Sequence, residues 1–249
     1  MNWVGIVVIK SQKLKLFKLF VFLMLQAVLF VLVFVTQGLF NRLVSFLSIV
    51  NCLIFAITFL TKDRINILTQ LALLFTVLAD VFLVLIDHQI RTLAMTFFSM
   101  VQICYFLRLL CGSRKKILWI IVYSSMVVLV EIVTIIVLKG LIDYLSIVSI
   151  FYYTLLICNV VFSFFQFRIC PLFAIGLLLF LFCDTLIGLN VAIGTYISLE
   201  PSSILYIISH TTFNFAWLFY VPAQTLLALS ISLTKKQFTW LVNCFLYIV

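Results

Sequence analysis

Charged side chains are scarce in this sequence. Only 9% of its 249 residues are Asp, Glu, Lys or Arg, and acidic residues number just 7. Because soluble domains carry about 25% charged residues, this scarcity excludes an ordinary soluble protein. The sequence also lacks a phosphate-binding glycine loop and the Cys/His spacing of a zinc site, so neither a nucleotide nor a metal cofactor is expected.

The cysteines form no CxxC pairs. There are 7 of them, an odd number, all within apolar segments, which argues against a disulfide framework. We interpret them as small hydrophobic side chains. Their positions are Cys52, Cys104, Cys111, Cys158, Cys170, Cys183 and Cys244.

Long apolar runs dominate the rest of the sequence. Hydrophobic residues make up 66% of the chain and the mean hydropathy is +1.37. A membrane-spanning helix needs about 20 mostly apolar residues, and these runs are too long, and lack the alternation, expected of strands. We therefore predict one all-α transmembrane domain over residues 1–249, a polytopic bundle of about eight helices. The predicted spans are 19–36, 43–60, 67–86, 93–111, 117–138, 145–165, 171–192 and 208–233.

The net charge of +9 follows this topology and does not indicate a nucleic-acid partner. With the N-terminus in the cytoplasm, thirteen Lys and Arg fall on the inner side and three on the outer side. Cytoplasmic loops of membrane proteins carry such an excess. The pattern predicts cytoplasmic N- and C-termini and an even number of spans.

Two aspartates lie inside these apolar spans. Asp80 follows LALLFTVLA and Asp184 follows LFAIGLLLFLFC. A charged side chain at the centre of a membrane helix costs about 2.5–3.5 kcal/mol on insertion scales, so such residues usually face a bundle interior and serve a function. At 1.5 Å per residue, both should lie about 20 Å above the inner boundary of the membrane core. Glu131 is predicted at the same depth.

Other polar residues are predicted near this layer: His210 and Asn214 in the last span, and Gln102 and Tyr105 in the fourth. Asp80 and Asp184 are 104 residues apart, which corresponds to four helices. We therefore consider a duplication into two parallel four-helix repeats.

Four segments resemble motifs of the lysoplasmalogenase (YhhN-like) family of integral membrane proteins. They are LADVFLVL, MVQICYFL, FCDTLIGL and YVPAQTLLALS, in the family's order. The resemblance implies hydrolysis of the vinyl ether bond of a lysoplasmalogen, with no cofactor. It also implies that the substrate, a lysophospholipid, enters from the bilayer lipid.

On this resemblance, Asp80 and Asp184 are the expected catalytic residues. The side chains expected to orient water or the lipid headgroup are Gln102, Tyr105, Asn214, Tyr220 and Gln224. The chain departs from the family pattern at Ala79 and Cys183, at Pro222, and at Gln102, where a His is expected; we therefore regard it as a divergent member. An amide does not titrate, so Gln102 cannot replace a His in proton transfer.

The chemistry of vinyl ether cleavage suits two carboxyl groups. One must still carry a proton to protonate the substrate, and burial together with a second nearby carboxylate favours that uncharged form. Two other functions remain open on the sequence alone. The acidic residues Asp80, Asp184 and Glu131 also suit a carrier of protons or small cations, and carboxylates that only tie helices together suit a non-catalytic scaffold.

Overall fold

The computed structural model describes residues 3–59, 63–86, 91–137, 143–195 and 215–232. Within these ranges the chain is helical, and eight helices are long and apolar enough to cross a membrane. The predicted polytopic helical bundle is thereby confirmed. The helices are α1 (Trp3–Val35), α2 (Gly38–Ile57), α3 (Arg64–Asp80), α4 (Arg91–Gly112), α5 (Lys116–Val137), α6 (Tyr144–Phe165), α7 (Pro171–Thr195) and α8 (Phe215–Ser232).

The helix ends follow local sequence signals. Asp63 and Asp143 precede α3 and α6 in extended conformation, and each side chain accepts a hydrogen bond from a backbone N–H of the first turn. This is the usual N-cap arrangement. Between α1 and α2 the chain reverses at Gly38, whose φ of 63° is one that few residues other than glycine adopt. The Asn41 amide donates to the carbonyls of Val33 and Thr36 and so satisfies the end of α1.

Helix α4 lies at the centre of the bundle and α5 at its edge. Buried residues occupy several faces of α4, whereas Tyr123 is the one buried residue of α5. The large apolar side chains of α5 are mostly exposed and suit contact with lipid. The most extensive packing joins α7 to α8 and α3 to α4, followed by α4 with α6. Each helix that carries one of the two aspartates thus packs on the helix that follows it.

Arg108 holds one end of the bundle together. Its guanidinium is almost fully buried, donates to the hydroxyls of Thr69 (2.7 Å) and Ser230 (2.8 Å), and contacts the Cys170 thiol at 3.3 Å. Its Cζ lies 3.9 Å from the centre of the Phe173 ring. One side chain of α4 therefore binds α3, α7 and α8.

The close approach of α7 and α8 depends on Gly176. A Cβ at this position would lie 2.9 Å from Leu227 Cγ and 3.2 Å from the Ala223 carbonyl oxygen. Because one of these is a backbone atom of α8, a larger residue has to push the two helices apart.

Replacing Arg108 with Ala removes the three hydrogen bonds and the ring contact. Hydrogen bonds from charged donors contribute about 1.5–3 kcal/mol each, so Arg108→Ala is expected to lower the thermal midpoint of the purified protein in detergent by several degrees. The exposed Arg114→Ala is the matched control and should leave it unchanged. Equal midpoints for the two variants would contradict the role given to Arg108.

Gly176→Ala is expected to destabilise the protein by about 1–3 kcal/mol, the usual cost of overpacking. Gly188 lies further along α7, and a Cβ added there would meet nothing within 4 Å. Gly188→Ala should therefore be neutral or slightly stabilising, because alanine favours helix. The thermal midpoints of both variants, measured in the same detergent, test the difference.

Candidate functional site

Asp80 is the last residue of α3 and points into the bundle. It is only 1% exposed. The hydroxyl of Tyr220, on α8, donates to Asp80 Oδ2 at 2.7 Å. A buried carboxylate needs such a donor from the protein, because the hydrocarbon of the membrane contains no water that could donate a hydrogen bond instead. The expected inward orientation of Asp80 is therefore found, and Tyr220 is its partner.

Asp184 lies in the second half of α7 and is partly buried. The hydroxyl of Tyr152, on α6, donates to Asp184 Oδ2. Each aspartate is thus held by a tyrosine from a different helix.

Contacts between aromatic rings connect the two aspartates through the tyrosines that hold them. Four aromatic rings surround the region in a continuous series. Tyr152 packs on Phe98 (ring centres 5.6 Å apart), Phe98 on Phe180 (6.1 Å), and Phe180 on Tyr220 (5.6 Å). Residues of α3, α4, α6, α7 and α8 therefore form one continuous series of contacts that runs from Asp80 through Tyr220 and Tyr152 to Asp184.

A π-helical turn, Val81–Leu85, follows Asp80 directly. Its hydrogen bond runs from the Ile86 N–H to the Val81 carbonyl at 3.0 Å. Such turns insert an extra residue into a helix and are frequent at functional sites. Here the change of helical pitch begins at the residue that carries the carboxylate.

Gln224 is one helical turn from Tyr220 on the same face of α8 and is completely buried. Helix α8 continues through Pro222. Gln102 accepts two hydrogen bonds from the Asn159 amide, at its carbonyl oxygen (2.8 Å) and at Oε1 (3.0 Å). Gln102 is therefore anchored to α6.

Tyr105 lies one helical turn from Arg108 on α4. Its ring packs edge-on against Phe173, with centres 5.3 Å apart. Gln102 and Tyr105 are thus buried, as expected, and lie on the Arg108 side of the aspartates.

The other three polar residues of the predicted layer, Glu131, Asn214 and His210, are not found beside the aspartates in the described part of the structure. Glu131 lies on the exposed helix α5, which packs mainly against α6. Asn214 and His210 fall outside the described residues, so their predicted roles stay predictions. No group of three or more His, Cys, Asp or Glu suited to a metal occurs in the described ranges.

Tyr152 is a site residue that the motifs in the sequence did not indicate. Its depth could have indicated it, because Tyr152 lies eight residues into α6, about 12 Å from the helix start. That places it near the aspartates in a membrane core about 30 Å thick. No comparable signal in the sequence indicates the π-helical turn.

Comparison with known proteins adds a family match. The sequence model of the YhhN family matches residues 40–231, which include both aspartates and both tyrosines. No curated protein and no solved structure matches the chain.

Tyr152→Phe removes the hydroxyl that donates to Asp184 and leaves Asp184 Oδ2 without this hydrogen-bond donor. Such a loss costs about 1–3 kcal/mol, so the thermal midpoint should fall. Tyr153→Phe is the matched control. Its hydroxyl contacts Thr185, which keeps a hydrogen bond to the Leu181 carbonyl at 2.7 Å. If Tyr153→Phe lowers the thermal midpoint as much as Tyr152→Phe does, the prediction that the Tyr152–Asp184 hydrogen bond stabilises the protein is wrong.

Proposed function

Since the chain belongs to the YhhN family, we propose that it is a membrane hydrolase that cleaves the vinyl ether bond of lysoplasmalogens. The products are a fatty aldehyde and a glycerophospho-alcohol. The observation that carries the proposal is the pair of aspartates in apolar helices, each hydrogen-bonded to a tyrosine, with the two tyrosines connected through Phe98 and Phe180.

The reaction begins with proton transfer. A carboxylic acid of the pair protonates the vinyl carbon remote from the ether oxygen, which leaves an oxocarbenium ion and a carboxylate. A low-dielectric interior strengthens the attraction between this cation and the two carboxyl groups. The tyrosine hydroxyls hold both groups in place before the substrate arrives.

Water then attacks the carbon bonded to the ether oxygen. The second carboxylate takes a proton from this water as general base, and a hemiacetal forms. When the hemiacetal collapses, its C–O bond to the glycerol breaks, its hydroxyl proton is lost and the leaving oxygen is protonated. The net reaction consumes one water, and the pair recovers its original protonation.

Two features of the chain support a lipid substrate. The outer surface of the bundle is apolar, so a single-chain lipid reaches it by lateral diffusion from the bilayer. Asp184, partly exposed, lies on the accessible side of the site, while Asp80 is enclosed. Gln102, Tyr105, Asn214, Tyr220 and Gln224 would orient water or the headgroup. With Gln102 in place of a His, proton transfer falls to the aspartates.

The proposed orientation puts both chain ends in the cytoplasm, on the support of the thirteen-to-three distribution of basic residues. A proton or cation carrier is less well supported. The relay suggested by the sequence includes Glu131, and Glu131 lies on α5, which packs mainly against α6, whereas the two aspartates lie on α3 and α7.

Asp80→Asn and Asp184→Asn are each expected to abolish aldehyde release, because an amide neither donates the catalytic proton nor accepts one from water. The assay offers a vinyl-ether lysophospholipid to the purified protein in lipid nanodiscs and measures aldehyde. Glu131→Gln is the matched control and should retain full activity. Ion flux in liposomes without lipid turnover would identify a carrier, and unchanged turnover in both Asn variants would exclude the aspartate mechanism.

A further inference from the structure

Several fully buried polar atoms make no hydrogen bond with the residues that the structure describes. Two belong to the Gln224 amide, its Nε2 and Oε1, and one is the Tyr105 hydroxyl. Gln102 Nε2 and Asn159 Oδ1 are also buried without a hydrogen bond. Each of these residues is 0% exposed, so none reaches solvent at the protein surface.

Such groups are costly inside a membrane protein. An unpaired buried polar group costs about 1–3 kcal/mol, and hydrocarbon offers it no partner. By contrast, the buried amide of Gln26 is paired. Gln26 donates to Ser48 at 2.8 Å and accepts from Asn51 at 2.8 Å. In the described part of the chain, Ser45 on α2 and Glu131 on α5 each have one unpaired buried oxygen, and the other five such atoms belong to residues of α4, α6 and α8.

Gln224 and Tyr105 share one region of the bundle. Gln224 follows Tyr220 by four residues, so it lies about 6 Å from Tyr220 along the same face of α8. Tyr105 packs on Phe173 of α7, one helical turn before Gly176. Gly176 closely approaches Ala223 and Leu227 in the turn of α8 that carries Gln224. The region therefore lies between α4, α7 and α8.

We propose that Gln224 and Tyr105 bind ordered water directly beneath the Tyr220–Asp80 pair. The amide offers a donor and an acceptor, and the phenol offers a hydroxyl that does both. Buried waters in proteins typically make about three hydrogen bonds to otherwise unsatisfied polar groups, and these atoms provide that number. If the proposed hydrolysis is correct, on which this last step rests, this water is the reservoir from which the attacking molecule comes.

Radiolytic hydroxyl-radical labelling of the full chain in nanodiscs tests the proposal. Short X-ray pulses generate radicals from internal water, and mass spectrometry reports the oxidised side chains. Tyr105, at 0% exposure, should be oxidised several-fold faster than Tyr123, at 9%. Radicals from bulk solvent would give the opposite order.

Matched variants locate the water. Gln224→Met keeps the size of the side chain and removes both polar atoms, so it should suppress the labelling of Tyr105 several-fold. Gln26→Met makes the same change at the paired amide on α1 and should leave Tyr105 labelling unchanged.

Labelling of Tyr105 no faster than that of Tyr123, or unchanged in Gln224→Met, overturns the proposal. Aldehyde release is measured on the same samples and separates the two proposals. Rapid, Gln224-dependent labelling in a wild-type protein without lipid turnover establishes the water site and refutes the hydrolase. Turnover that is undiminished in Gln224→Met while labelling is lost overturns the role of this water as the reactant.

Discussion

A carboxylate inside a membrane bundle needs hydrogen-bond donors from the protein itself, and this requirement organises the structure around Asp80 and Asp184. Lipid supplies no donor and withdrawal from water is costly. Tyr220 meets the requirement for Asp80, which links α3 to α8. Tyr152 meets it for Asp184, which links α7 to α6. The same two bonds that stabilise the helix arrangement therefore fix the positions of the carboxyl groups.

A second polar layer holds the other end of the bundle. Arg108 binds Thr69 and Ser230 there. Thr69 precedes Asp80 by eleven residues on α3, and Ser230 follows Tyr220 by ten on α8, so the two helices span about 16.5 Å and about 15 Å between the layers. Because the distance between the layers is similar along α3 and α8, the Asp80–Tyr220 hydrogen bond and the Arg108 hydrogen bonds to Thr69 and Ser230 can form together without tilting one helix against the other. Helix packing at Gly176, between the layers, completes the arrangement.

The depth of the site could be predicted from the sequence, and its lateral arrangement could not. Depth follows from counting residues from a helix end, and this placed Asp80 and Asp184 in one layer. Which helices are neighbours depends on side-chain packing among many apolar surfaces of similar composition. For example, Tyr152 and Tyr153 are adjacent in the sequence, and the packing of α6 on α7 decides that Tyr152 binds Asp184 while Tyr153 binds Thr185. The π-helical turn after Asp80 likewise arises from packing, since its residues Val81–Leu85 are ordinary apolar helix formers.

The substitution at Gln102 shows how the surroundings decide what a motif residue does. The family pattern suggests a titratable His there, but the Gln102 side chain accepts from Asn159 and is 0% exposed. An imidazole in its place would need a partner of its own at this depth, because a buried donor without an acceptor is costly. The Gln–Asn contact instead ties α4 to α6 without charge. Gln102 thus contributes to the packing between α4 and α6, and the proton transfer that we propose is left to the two aspartates.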